Sequence, residues 1–167
     1  MKWLSSSLVS LVLWIGSGVF FLLLGAVYLS LGLLFSPRRL QPIVRMGCRV
    51  LLFMAGQRLK QVGEFPESDC GPFIYMFNHS SLLDTFVVIA VMTEYTGAVG
   101  KKEQFDMPVW GRILKRWGAI PIDRENLDDA IASLNHAASD MGEGLSLLVA
   151  PEGTRSKDGA LGPFKKG

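Results

Sequence analysis

One of the chain's two histidines, His79, lies in the stretch Asn78-His79-Ser80-Ser81-Leu82-Leu83-Asp84-Thr85, five residues ahead of a carboxylate. A histidine and an aspartate suffice for base catalysis. The carboxylate fixes one imidazole nitrogen, and the other takes a proton. On a continuous helix, residues five apart project about 140° from each other, so this pair could not meet. They meet if His79 occupies the turn before a helix and Asp84 its first turns, with Ser80 or Ser81 as the cap. The same residues also suit a plain helix start, a polar turn residue followed by an acid that complements the helix dipole. A serine nucleophile is the poorer reading, because no Gly-x-Ser-x-Gly elbow surrounds either serine. On these eight residues alone, cap and catalytic pair both stand.

Two further stretches carry chemistry. In Gly118–Arg124, Asp123 and Arg124 follow an apolar run that reads as a strand. The end of a strand is where α/β sheets hold ligands, and an arginine there can grip a phosphate with two parallel hydrogen bonds. A surface ion pair with Asp123 or Glu125 explains the same residues. In Ala150–Gly159, directly after the apolar Leu145–Val149, Pro151 and Gly153 demand a tight turn. Such a turn can aim backbone N–H groups at an anion. Glu152, Thr154 and Arg155 add an acid, a hydroxyl and a guanidinium within four positions. A bland loop rarely sets that combination against a core strand.

These residues need elements to position them, and the sequence predicts an α/β arrangement. Pro37 and Pro42 bracket a connector, and residues 43–59 form a basic helix that either lies in a membrane interface or packs as a second helix. Strands are predicted near 60–65, 73–77, 96–100, 118–122 and 145–150. Helices fall near 80–93, around Pro108 within 104–117, and after Asn126. That last helix sets Leu127, Ile131, Leu134, Ala138 and Met141 on one face. His136 falls on its polar side. The stretch 105–117 mixes Phe105, Trp110 and Trp117 with Arg112, Lys115 and Arg116, which suits either a surface dipping into lipid or a half-buried core helix. Strands separated by helices imply a mixed sheet flanked by helices, with the functional loops at strand ends.

Charge and hydropathy divide the chain at about residue 61. Of 167 residues 49% are hydrophobic, and Leu4 to Phe35 contains no charge. Crossing a bilayer takes about 20 apolar residues, so this run serves as a membrane anchor, spanning once or bending back. It fits a cleavable signal poorly, since the apolar core of a signal is shorter. Residues 36–60 hold six bases and no acid, whereas all 15 acids lie beyond residue 60 against ten bases. The basic segment suits anionic head groups, and the acidic remainder argues against nucleic acid. With only Lys2 ahead of the apolar run, the positive-inside bias places the rest on the cytoplasmic side of an inner or plasma membrane. Cys48 and Cys70 make no disulfide framework. A metal site from His79, Asp84 and Glu152 lacks a second histidine.

Taken together, the motifs resemble the glycerolipid acyltransferase superfamily, in its 1-acylglycerol-3-phosphate acyltransferase branch. Asn78, His79 and Asp84 match its N-H-x-x-x-x-D motif, and Ile122, Asp123 and Arg124 match I-D-R. Pro151 through Ser156 match F-P-E-G-T-R-S, with Ala150 in place of the aromatic. Lys101, seven residues before Pro108, matches a lysine often found between the first two. The resemblance covers residues 72–166. It implies a glycerolipid acyltransferase-like catalytic domain over 62–167 behind an anchor and basic helix over 1–61. It also implies that the chain is the N-terminal portion of a longer enzyme, since the V-P-V-type fourth motif has no counterpart.

The implied reaction moves a fatty acyl group from an acyl-CoA or acyl-carrier-protein thioester to the sn-2 hydroxyl of lysophosphatidic acid, giving phosphatidic acid without a cofactor. His79 would be the base and Asp84 its orienting partner. Arg124 and Arg155 would clamp the phosphate, and Glu152 and Thr154 would position the glycerol or those arginines. Lys101 or backbone N–H groups near Gly153 would stabilise the oxyanion. Three alternatives remain: another lysolipid acceptor, a fragment that binds lipid or thioester without turnover, and an ester hydrolase.

Overall fold

The structure, a computed structural model, describes residues 2–64, 66, 71–123, 126–142, 145–156 and 158–164. The chain forms two compact units, Met1–Gly63 with Thr85–Thr93 and Glu64–Asp84 with Glu94–Gly167.

In the first unit, α1 (Lys2–Leu31) is one unbroken helix. Within it Ser7–Leu31 is long and apolar enough to cross a membrane, and large side chains such as Leu11, Trp14, Ile15 and Leu23 are exposed. The connector after it is shorter than the prolines suggested, because α2 (Pro37–Met54) begins at Pro37 and runs through Pro42. Proline at the first helical position forfeits no bond that the helix would have made, so only Pro42 costs one. The helix α2 packs antiparallel on α1. A Cβ at Gly47 would press on Leu24, while Gly16 and Gly56 lie beside Met54 and Leu13. The basic residues of α2 are partly spent inside the unit. Arg45 and Arg49 donate from Nε to the Ala90 carbonyl at 3.3 and 2.9 Å, and Gln41 donates to Met92 O at 3.2 Å. Ala90 lies in the last turn of α3 (Asp84–Val91), where cations offset the dipole and fill vacant carbonyls.

In the second unit, four strands form one sheet: β1 (Ile74–Met76), β2 (Thr96–Lys101), β3 (Ile120–Ile122) and β4 (Ser146–Val149), in the order β1-β4-β2-β3. The expected α/β organisation is present. All three pairings among described strands are parallel, however, whereas a mixed sheet was expected. Parallel neighbours follow from helical crossovers, which return the chain to the same starting edge. The strand expected near 60–65 does not form among described residues 60–64; Gln61 instead bonds to the Gly63 carbonyl in a local turn.

A 3-10 turn (Lys102–Asp106) and α4 (Trp110–Trp117) follow β2. Phe105, Leu114 and Ala119 form a core cluster with Ala98 and Trp110 against it. Trp117 is buried and donates from Nε1 to Thr96 O, so Phe105 and Trp117 face the core and not lipid. The chain leaves α4 through Gly118, whose φ of 82° is left-handed. In α5 (Leu127–Gly142), Ala137 is buried with Ile120 and Leu147, whereas of the expected inner face Ile131 is 42% exposed and Ala138 is open; the side chains of Leu127, Leu134 and Met141 lie outside those described. The small Ala137 side chain lets this helix approach β3 and β4 closely, at a position the aliphatic periodicity did not select.

The tightest joint in this unit is Gly111, where a Cβ would stand 2.2 Å from the Phe105 carbonyl oxygen. Backbone cannot yield as a side chain can. Gly111→Ala is expected to destabilise by about 1–3 kcal/mol or more. Gly18→Ala, which meets nothing within 4 Å, should change stability by under about 0.5 kcal/mol. Thermal melting of both variants in detergent checks the contrast.

Candidate active site

Because the sheet is parallel, its strands end along one edge, and the chemistry-bearing loops leave from that edge. Residues 77–83 follow β1, Lys101 ends β2, Asp123 follows β3, and the turn 150–156 follows β4. Strand β4 is inserted beside β1, with Met76 opposite Val149. The loop with His79 therefore lies next to the loop with Glu152.

His79 sits in the turn and Asp84 is the first residue of α3, so the two side chains meet, Nδ1 to Oδ2, at 2.8 Å. The same oxygen accepts the backbone N–H groups of Ser80 and Ser81, both at 2.7 Å. Asp84 thus folds its own approach loop around itself. The serines play a different part from the expected cap: Ser81 Oγ accepts the Leu83 N–H at 3.1 Å, closing the turn before the helix. Burial pushes the Asp84 carboxyl up, but the Ser81 N–H, His79 and the Ser80 N–H outweigh it and hold its pKa below 3.8. An ionised carboxylate only accepts, so Nδ1 carries the hydrogen and Nε2 is left as the basic nitrogen. The Phe77 ring packs edge-on against the imidazole, centroids 5.9 Å apart. His79 retains 26% side-chain exposure, enough for a reactant to reach it.

The β4 turn grips the backbone of His79 from both sides. Glu152, 3% exposed, accepts the His79 N–H on Oε1 at 3.1 Å, and Ser156 donates its N–H to the His79 carbonyl at 2.7 Å. The second Glu152 oxygen accepts the Gly162 N–H at 2.8 Å. Gly153 holds a φ of 66°, and its N–H closes the turn on Ala150 O, so that donor is spent in the fold. Thr154 and Arg155 are exposed.

The remaining candidates lie farther along the edge. With strands about 4.8 Å apart, the end of β2 is two spacings, roughly 10 Å, from that of β1, and the end of β3 about 14 Å. Lys101 pairs with Glu103 at 2.9 Å, and Asp123 pairs with Lys102 at 3.1 Å. Arg124 lies outside the described residues. So the structure joins His79, Asp84 and Glu152, and sets Lys101 and Asp123 apart from them. Sequence reasoning missed Ser156, which acts through a backbone N–H, and Gly162, ten residues past the acid it serves. Neither leaves a side-chain signal.

A sequence model of the family described as Acyltransferase matches residues 56–167. A 1-acyl-sn-glycerol-3-phosphate acyltransferase of Cocos nucifera is 37% identical over 121 residues, which cover 71% of this chain and 38% of that one. One of Helicobacter pylori is 32% identical over 124 residues, 74% of this chain and 51% of that one. The chain thus spans about half or less of the length of these two curated relatives. The crystal structure of the 1-acyl-sn-glycerophosphate acyltransferase PlsC from Thermotoga maritima matches with a TM-score of 0.79 at 20% identity, covering 99% of this chain and 68% of that one, a likeness of fold.

The acid side of the stability curve should carry the mark of Asp84. Its folded pKa lies below the unfolded value, so its bonds stabilise the fold above pH 3.8 and are lost as pH falls through the lowered value. The wild-type melting temperature should fall in that window, and Asp84→Asn should flatten part of the fall. An unchanged slope in the variant would show that the carboxylate is not held as described. With more than half of its length matched by that sequence model, and with fold and motif order in agreement, the chain belongs to the Acyltransferase family.

Proposed function

We propose that the protein transfers a fatty acyl group from a thioester donor to the free hydroxyl of a 1-acylglycerol-3-phosphate. The observation that carries this reading is the His79–Asp84 pair, with Nδ1 engaged and Nε2 left basic at the C-terminal edge of a parallel sheet. The names of the relatives supply the acceptor class, and the motif arginines supply a reason for its phosphate.

In the proposed step, Nε2 of His79 removes the proton of the acceptor hydroxyl as its oxygen attacks the thioester carbonyl. The tetrahedral adduct collapses with loss of the carbon–sulfur bond. The imidazolium then returns the proton to the departing thiolate, leaving a free thiol and phosphatidic acid. Asp84 stabilises the imidazolium while it lasts. The acceptor hydroxyl is the nucleophile, so no acyl-enzyme is required. Acyl-CoA and acyl-carrier protein both present such a thioester. Arg155 and Arg124 act as the phosphate clamp, and Thr154 orients the glycerol. Lys101 supports the oxyanion once its pairing with Glu103 is exchanged.

Membrane attachment is part of the same proposal. Both substrates carry acyl chains, and α1 has the length and open apolar surface for an anchor. The excess of arginines after it, against Lys2 before it, favours a cytoplasmic catalytic side.

Acyl transfer to lysophosphatidic acid, assayed on membranes carrying the protein expressed from its full reading frame with each thioester donor, tests the proposal. His79→Ala should lower turnover by about 10²–10⁴-fold, the usual worth of a positioned base. Arg155→Ala should act mainly by raising KM for the acceptor. Near-normal turnover in folded His79→Ala would remove histidine from the mechanism, and a wild type that binds lipid without turnover would favour a binding role.

A further inference from the structure

Glu152 stands in a motif whose resemblance suggests contact with substrate, yet its surroundings are those of an internal brace. The residue is 3% exposed, and each carboxylate oxygen is already engaged by a backbone N–H: His79 at 3.1 Å and Gly162 at 2.8 Å. Drawing it toward a ligand would strip two part-buried N–H donors of their acceptor. The His79 carbonyl is held in turn by the Ser156 N–H, four residues along the same turn. Thus the peptide units on either side of the His79 Cα are both fixed from the β4 loop, while Asp84 and Phe77 fix the ring.

We propose that Glu152 is a positioning residue for His79 and not a ligand of the acceptor, and that Gly162 is the far abutment that keeps its carboxylate in place. The proposal rests on His79 being the base. Gly162 enters for a steric as well as a bonding reason. A Cβ there would come within 2.9 Å of Glu152 Oε2, so only glycine lets the N–H approach without displacing the carboxylate. Two N–H donors reach the two ends of one side chain, so both ends must accept. A carboxylate does this, whereas an amide sets its own N–H groups against one of the donors. The turn Asp158–Phe164 thereby joins the catalytic apparatus, although none of its side chains touches His79 in the described contacts.

The effect on chemistry is one of alignment. A shift of about 1 Å in a base's backbone can cost about 100-fold in rate without weakening substrate binding. The test measures kcat and KM for lysophosphatidic acid in Glu152→Gln and Gly162→Ala of the full-length protein in detergent micelles, with melting curves to establish folding. Both variants should lose kcat, Glu152→Gln by about 100-fold, with KM held within about twofold. A loss carried by KM, or no loss, overturns the proposal and returns Glu152 to the acceptor site. Should Glu152→Gln fail to fold, Gly162→Ala alone decides, because it keeps the carboxylate and only shifts it. A second readout needs no turnover: the Nδ1–H resonance of His79, followed by nitrogen-15 NMR. It should be sharp in the wild type and broadened in both variants. An unchanged resonance overturns the proposal, whereas an inactive wild type overturns only the base assignment.

Discussion

The parallel pairing of β4 with β1 is the constraint on which the site depends. Strand β4 is last in sequence among the described strands, yet it lies between β1 and β2. Its register, Tyr75 opposite Leu148 and Met76 opposite Val149, brings the turn after Val149 level with the turn after Met76. Two loops more than 70 residues apart in sequence can then share hydrogen bonds. In a sheet with β4 on the outside of β3, the Glu152 carboxylate would stand several strand spacings, well over 10 Å, from the His79 N–H. The order of strands thus does chemical service before any side chain is considered. The burial of Ser146, Leu147 and Leu148 shows what holds that order, since the inserted strand is the one most fully enclosed.

Within that frame, Asp84 solves a problem of loop geometry and a problem of protonation with one oxygen. Three donors converge on Oδ2: two backbone N–H groups and the imidazole. The backbone pair wraps residues 80–83 tightly enough that a residue five places back reaches the first residue of the helix. The same three bonds keep the carboxyl ionised despite partial burial. Ionisation then dictates the tautomer of His79. An asparagine could imitate part of the loop but would not impose that tautomer, so the structural and chemical duties of Asp84 can be separated.

The sequence was informative where spacing translates directly into geometry. The five-residue offset from His79 to Asp84 required the turn–helix junction that is found. Strand–helix alternation gave the α/β class and placed four strands within a few residues. It failed where the outcome depends on packing between distant segments. The aliphatic periodicity of α5 chose Ile131 and Ala138, but close approach to the sheet favours Ala137. The run at 60–65 had strand-like residues and no described partner strand, and its described residues 60–64 are irregular. Glu152 was legible as important from its company in the motif. Its bonds to main-chain N–H groups were not, because the donor of a backbone bond can be any residue except proline.

The basic segment shows how composition alone overstates a surface function. Six bases and no acid between residues 36 and 60 read as a patch for anionic head groups. In the fold, Arg45 and Arg49 turn their Nε donors inward to one carbonyl at the end of α3, as Gln41 does to Met92. Their charge is then part of the joint between α2 and α3. A guanidinium has five donors, so satisfying one carbonyl leaves the terminal nitrogens able to meet a phosphate. Lysine in those positions would offer its whole point charge to one partner or the other. Arginine thus lets the segment close the first unit upon α3 with donors to spare, which reconciles the charge asymmetry of the sequence with the contacts of the structure.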